Sequence, residues 1–159
     1  MLGTGTAGHI AIVAAFCVLL GWAALSDLQR RVIPNRISVA ILALYPAHAL
    51  TLSASQIALS VAVAAGVLIL GMVVFARGWI GGGDVKLHSV VALWAGWPLA
   101  IEFAVVTSLF GAVLALSWMV LVRHFPPLFP SAATANGRTE MPYGVAIAAG
   151  GVYVATRLM

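Results

Sequence analysis

Apolar residues run in long blocks along this chain, and the polar ones gather in the short stretches between them. Six blocks stand out, at about 9–26, 37–52, 56–76, 85–97, 99–122 and 143–156. A spanning helix takes roughly 20 predominantly apolar residues. The pattern therefore predicts an all-α, polytopic membrane protein of about six transmembrane helices, organised as a single integral-membrane domain over 1–159. Several blocks fall short of a full span, and the second carries Pro46 and His48. Short or interrupted helices are expected to tilt or to line a water-filled cavity. No repeat of fixed period is visible.

Composition agrees with the blocks. The chain is 63% apolar and only 8% charged, with a mean hydropathy of +1.10, more apolar than a soluble domain of this length requires. The single cysteine, Cys17, lies inside an apolar block, which excludes a disulfide framework or a cysteine-based zinc site within one chain. His9, His48, His88 and His124 fall on different segments and on both expected faces, so no metal and no cofactor is expected. The first block has neither a basic stretch before it nor a small-residue cleavage site after it, and is read as a retained span.

The net charge of +4 reads as topology, not as a nucleic-acid footprint. Arg30, Arg31 and Arg36 follow the first block, Arg77 and Lys86 flank the third loop, and Arg123 and Arg138 lie in the fifth. The second and fourth loops carry no Lys or Arg, and Arg157 alone is assigned to the other side. Positive-inside logic puts the odd loops in the cytoplasm and both termini outside. Trp79, Trp94 and Trp97, near block ends, read as interfacial anchors. The fifth loop, rich in proline, is a connector that can also touch substrate.

Only four acidic residues exist, and two of them, Asp27 and Asp84, border apolar blocks on the same expected face. An ionisable group in such a place is costly unless it meets a cavity or a partner. Two carboxylates held close do not both ionise easily, so one keeps a proton near neutral pH. The ionised one can then take a proton from water while the other polarises a peptide carbonyl. Each aspartate also has a plainer reading. Asp27 would cap the end of the first span and pair with Arg30 or Arg31; Asp84 would be the N-cap of the fourth helix after a glycine turn. Gly81, Gly82 and Gly83 are expected to use backbone angles closed to other residues and to admit the backbone of a strand-like peptide. Glu102 is read as structural at the external end of the fifth span, and Glu140 as a loop residue.

Ser26–Asn35 (SDLQRRVIPN), Gly81–Leu87 (GGGDVKL) and Met141–Ala148 (MPYGVAIA) together resemble the signature regions of the type IV prepilin peptidases, membrane aspartic proteases of the GxGD class. The resemblance covers nearly the whole chain in order and spacing. It implies that Asp27 and Asp84 form a catalytic pair that activates water and cleaves leader peptides from prepilin-like substrates at the cytoplasmic face of a bacterial inner membrane. It adds Gly81, Gly82, Gly83, Lys86, Pro142, Tyr143 and Gly144 as candidate substrate-contacting residues, with Pro142 expected in the first turn of the last helix. Pro34 and Asn35 are expected to start the second span, Asn35 as its cap. Larger members of the family carry an extra domain with paired CxxC motifs and methylate the new N-terminus. This chain resembles the short Tad/Flp-type branch, so proteolysis without methylation is expected. His88, where an apolar residue is expected, stands one turn beyond Asp84 and within reach of a hydrogen bond to it. Its partners would be a substrate with a hydrophobic N-terminal helix and the lipid bilayer, with no nucleic acid. Two rivals remain open: a membrane assembly factor that binds pilin helices without cutting them, and a small transporter whose carboxylates relay protons.

Overall fold

A computed structural model describes residues 3–124 and 141–159. Among them every regular element is a helix: α1 (Gly3–Arg30), α2 (Asn35–Ala49), α3 (Ala54–Ala76), α4 (Gly82–His124) and α5 (Gly144–Leu158). Three stretches are long and apolar enough to cross a membrane, namely Ala7–Arg30, Ala54–Ala76 and Gly82–Leu121. Residues 125–140 of the fifth loop, with Arg138 and Glu140, lie outside the described residues, whereas Arg123 belongs to the last turn of α4.

The fourth and fifth apolar blocks do not form separate helices with a loop between them. They run on as α4, whose 43 residues break at Gly96 (φ 59°, ψ −170°). That backbone region is open essentially to glycine alone, and Pro98 cannot return a hydrogen bond to the preceding turn. The break is sharp enough to fold α4 back on itself. His88, before it, packs against Phe103, after it, with ring centroids 4.7 Å apart and the rings tilted by 44°, whereas residues so spaced on a straight helix would lie roughly 22 Å apart. A Cβ on Gly96 would fall 2.7 Å from Ser60 Oγ, so the turn also seats α3.

The core is written in helical spacing. Val13, Phe16, Leu20 and Ala23 form one stripe on α1, and Ile37, Ile41, Tyr45 and His48 another on α2. Trp94 locks the two together: it stacks on Phe16 at 4.3 Å and on His48 at 5.0 Å, and its Nε1 donates to the Ile41 carbonyl at 3.2 Å. This corrects the reading of Trp94 as an interfacial anchor, since it is only 2% exposed. Its position near a block end put it at the α4 turn, which is inside the bundle. Trp79 and Trp97 are exposed, at 72% and 65%.

The five helices pack α3 on α4, α4 on α5, α5 on α1, and α2 against α1 and α4. α5 is the most enclosed, and its glycines are the reason it fits. A Cβ on Gly151 would meet Leu20 of α1 at 2.7 Å and Val91 of α4 at 3.1 Å; small residues let helix backbones approach this closely where hydrophobic driving force between helices is weak. α3 is the opposite case. It starts with a full capping box between Ser53 and Gln56, yet only Ser60 on it is buried. A helix apolar all round with its sides open is built to face lipid.

Candidate active site

Helix α1 ends in a way that aims Asp27 inward. Arg31 takes a left-handed conformation (φ 55°), its N–H donates to the Asp27 carbonyl at 2.9 Å, and the Ser26 hydroxyl donates to the Val32 carbonyl at 2.9 Å. The turn that follows tucks Ile33 back beneath the helix end, 6% exposed. Asp27 itself is buried, and its Oδ2 accepts the Gly144 N–H at 2.7 Å. Gly144 is the first residue of α5, so the carboxylate sits at the positive end of that helix. The plainer reading of Asp27 as a cap for its own helix is therefore corrected: it caps α5, and the Arg31 charge acts on it as well.

Asp84 occupies the matching place on α4. It lies in the first turn, third residue of the helix, and not at the N-cap. Gly81 precedes the helix and lies against the Asp84 carboxylate: a Cβ on it would fall 3.1 Å from Asp84 Oδ2. This is the position from which the third helical residue of a capping box faces the N-cap backbone. Asp27 and Asp84 stand 57 residues apart in sequence, yet the charge of Asp27 acts directly on Asp84. The charge of Asp84 acts in turn on the Tyr143 phenol.

All three signature segments meet here, knitted by contacts that spacing alone did not disclose. Ile33 is the wedge. A Cβ on Gly83 would lie 3.2 Å from its Cβ, and one on Gly144 would lie 2.7 Å from its Cδ1 and 2.8 Å from Asp27 Oδ2. Lys86 Nζ donates to Asn35 Oδ1 at 2.9 Å, tying the start of α4 to the start of α2. Asn35 is thus engaged by Lys86, and Pro34, with no side-chain bond to offer, takes the N-cap position. Tyr143 lies against the returning limb of α4, where a Cβ on Gly111 would meet its ring at 2.6 Å. Further along that limb the Arg31 guanidinium stacks over Trp118 at 4.3 Å.

Several expectations about the site change. Gly81, Gly82 and Gly83 do not take positive φ; among the described residues the positive-φ glycines are Gly78 and Gly96. The glycine run is small for packing reasons instead: Gly82 admits the Phe75 ring at 3.3 Å, Gly83 admits Ile33, and only Gly81 stays exposed. Pro142 stands two residues before α5, outside its first turn, and its carbonyl accepts the Val145 N–H at 3.3 Å. His88 turns to Phe103, not to Asp84. Glu102 accepts a hydrogen bond from the Tyr153 hydroxyl and faces Arg157 at 3.8 Å, far from the aspartates along the chain fold. One pairing went unread in the sequence. His9 Nε2 and His48 Nδ1 meet at 3.2 Å, near opposite ends of their own helices, and only the antiparallel packing of α1 and α2 brings them together. No cluster of three or more His, Cys, Asp or Glu side chains suited to a metal occurs among the described residues.

The site can therefore present two carboxylates, each at a helix start and one of them held by the Gly144 N–H, on either side of a buried isoleucine and beside a phenol. No curated protein and no solved structure matches the chain. A model of the type IV leader peptidase family matches residues 14–116, a stretch that includes both aspartates.

Proposed function

The chain belongs to the type IV leader peptidase family, and from that premise we propose that it is a membrane-embedded aspartic endopeptidase in which Asp27 and Asp84 activate water. The observation that carries this reading is the meeting of Asp27 and Asp84 through two separate helix N-termini, close enough for one charge to act on the other. The Asp27 carboxylate keeps oxygen lone pairs beyond the one the Gly144 N–H engages. The ionised carboxylate takes a proton from water as the water oxygen attacks the scissile carbonyl carbon. The protonated one gives its proton to the carbonyl oxygen. Collapse of the tetrahedral diol breaks the C–N bond as the proton taken from water passes to the departing amine and one hydroxyl proton returns to the carboxylate that had donated it. Gly81, exposed beside Asp84, is the part of the glycine run open to a substrate backbone. Tyr143 and Gly144 line the other side.

The substrate on this reading is a prepilin-like protein of the Flp type, its hydrophobic helix in the bilayer and its leader junction at the aspartates, processed without methylation. The folded-back α4 supports six passes with both termini outside. Its 43 residues would extend roughly 64 Å if straight, about twice the hydrocarbon thickness of a bilayer. Its two limbs then serve as separate spans, and the Arg-rich turns at the aspartate end face the cytoplasm of an inner membrane.

A reading without cleavage draws on one observation. Asp27 caps α5 and Asp84 lies in the first turn of α4, structural places that a membrane assembly factor would also need filled. Co-expression with a Flp-type prepilin, read by intact mass, separates the two. Loss of the leader with the wild type, its retention with Asp27→Asn and with Asp84→Asn, and no added methyl mass would establish the peptidase. An uncut substrate across a panel of prepilins, with the protein inserted and folded, would favour the assembly role.

A further inference from the structure

Gly96 lies roughly 18 Å along α4 from Asp84, and the turn it makes leaves a cavity of about 480 Å³ at the end of the bundle away from the aspartates. That size falls within the roughly 300–1,000 Å³ of sites that hold small molecules. Leu59, Trp97, Leu99 and Leu158 supply apolar wall, and His48 and Arg157 supply the basic groups.

Both basic groups have capacity to spare. Arg157, 55% exposed, meets Glu102 only through Nε at 3.8 Å, well beyond the roughly 2.7–2.9 Å of a charge-assisted hydrogen bond. His48 is 3% exposed; its Nδ1 is taken by His9, and its Nε2 has no hydrogen-bond partner among the described residues. The cavity is also continuous with the lipid-facing side of the bundle. Leu59 belongs to α3, which is open along its length, and is itself 47% exposed. Trp97, 65% exposed, stands with Arg157 at the rim, the pairing of aromatic and basic side chains that favours head-group depth.

We propose that this cavity holds one acyl chain of an anionic phospholipid, with the head-group phosphate on Arg157. A chain entering past Leu59 meets a mainly apolar wall interrupted by Gln56, Ser60 and Thr156, and the phosphate arrives at a guanidinium whose carboxylate partner holds it only loosely. The unengaged His48 nitrogen stands deeper, where the ester oxygens of the lipid would lie. This site rests on the membrane setting of the helices and is independent of the chemistry at Asp27 and Asp84.

The test uses the full chain reconstituted with equal phosphatidylglycerol and phosphatidylcholine, released into mild detergent and weighed by native mass spectrometry. Wild type should retain one phosphatidylglycerol about fivefold over phosphatidylcholine, the scale of one basic residue at a membrane surface. Arg157→Gln should bring the two lipids to parity, and Arg157→Lys should keep the preference. Leu59→Trp, which fills the wall from an exposed position, should lower retention of both lipids while leaving prepilin cleavage unchanged. Equal retention of the two lipids by the wild type, a preference that survives Arg157→Gln, or no retained lipid would each overturn the proposal.

Discussion

The two ends of the bundle hold their polar groups by different means. At one end, both aspartates sit at helix starts: Asp27 accepts the Gly144 N–H, and Asp84 lies in the first turn of α4 against Gly81. At the other, His48 is held by rings: Trp94 stacked on one face, Tyr45 edge-on at 6.0 Å, and His9 at its Nδ1. A backbone donor fixes a carboxylate without neutralising it. A ring stack fixes a side chain by shape and burial and leaves little room for a charge to change. The aspartate end is therefore organised for proton chemistry and the histidine end for cohesion, and substitutions at the two ends should fail in different ways.

The largest effect should come from Asp27→Asn and Asp84→Asn. Asparagine keeps the shape of either side chain and, in place of Asp27, an acceptor for the Gly144 N–H, so α5 stays capped. Cleavage should nevertheless fall by about 10²–10⁴-fold or more with membrane insertion unchanged. Near-normal turnover in either variant, measured by leader loss, would remove that residue from the chemistry.

Gly144→Ala comes next. Its Cβ would press on Asp27 Oδ2 and Ile33 Cδ1, and displacement of a reacting group by about 1 Å can cost about 10²-fold in rate. The rate should drop by that order while the affinity for prepilin, measured by pull-down with uncleavable substrate, stays within about twofold. A loss confined to binding, with turnover kept, would mean that Gly144 serves the substrate wall alone and does not set Asp27.

His48→Ala should reverse the pattern. Removal of the ring from the Trp94 stack should cost about 1–3 kcal/mol of stability, read as a lower thermal midpoint in detergent, with cleavage by the surviving folded fraction unchanged. A strong loss of specific activity would mean that the two ends communicate through α4. The smallest effect belongs to Lys86→Ala. It breaks one exposed hydrogen bond to Asn35, worth about 1 kcal/mol or less, and a modest fall in activity without a change in stability would show that the α2–α4 tie helps to set Asp84.

Much of this was legible from the residues. The apolar blocks predict helices, the two acids on one face suggest a pair, and the family resemblance of the segments around Asp27, Asp84 and Tyr143 implies a single site. Local rules failed where a residue's neighbours come from elsewhere in the chain. Trp94 looks interfacial by its place near a block end and is core because α4 doubles back there. The glycine run looks like a backbone hinge and is instead a set of close approaches to Phe75 and Ile33. Asp84 looks like an N-cap by its position after the glycines, yet the helix begins earlier, at Gly82, and places it in the first turn against Gly81.

Hydropathy and composition, set by how each side chain partitions between water and hydrocarbon, determined by themselves that this chain forms apolar helices with two costly acids beside them. They could not determine which helix start would receive Asp27, that Ile33 would be the wedge between Gly83 and Gly144, or that His9 would find His48. Those pairings depend on which backbones can approach one another, and that was decided only when the glycines of α5 and the turn at Gly96 let the helices close.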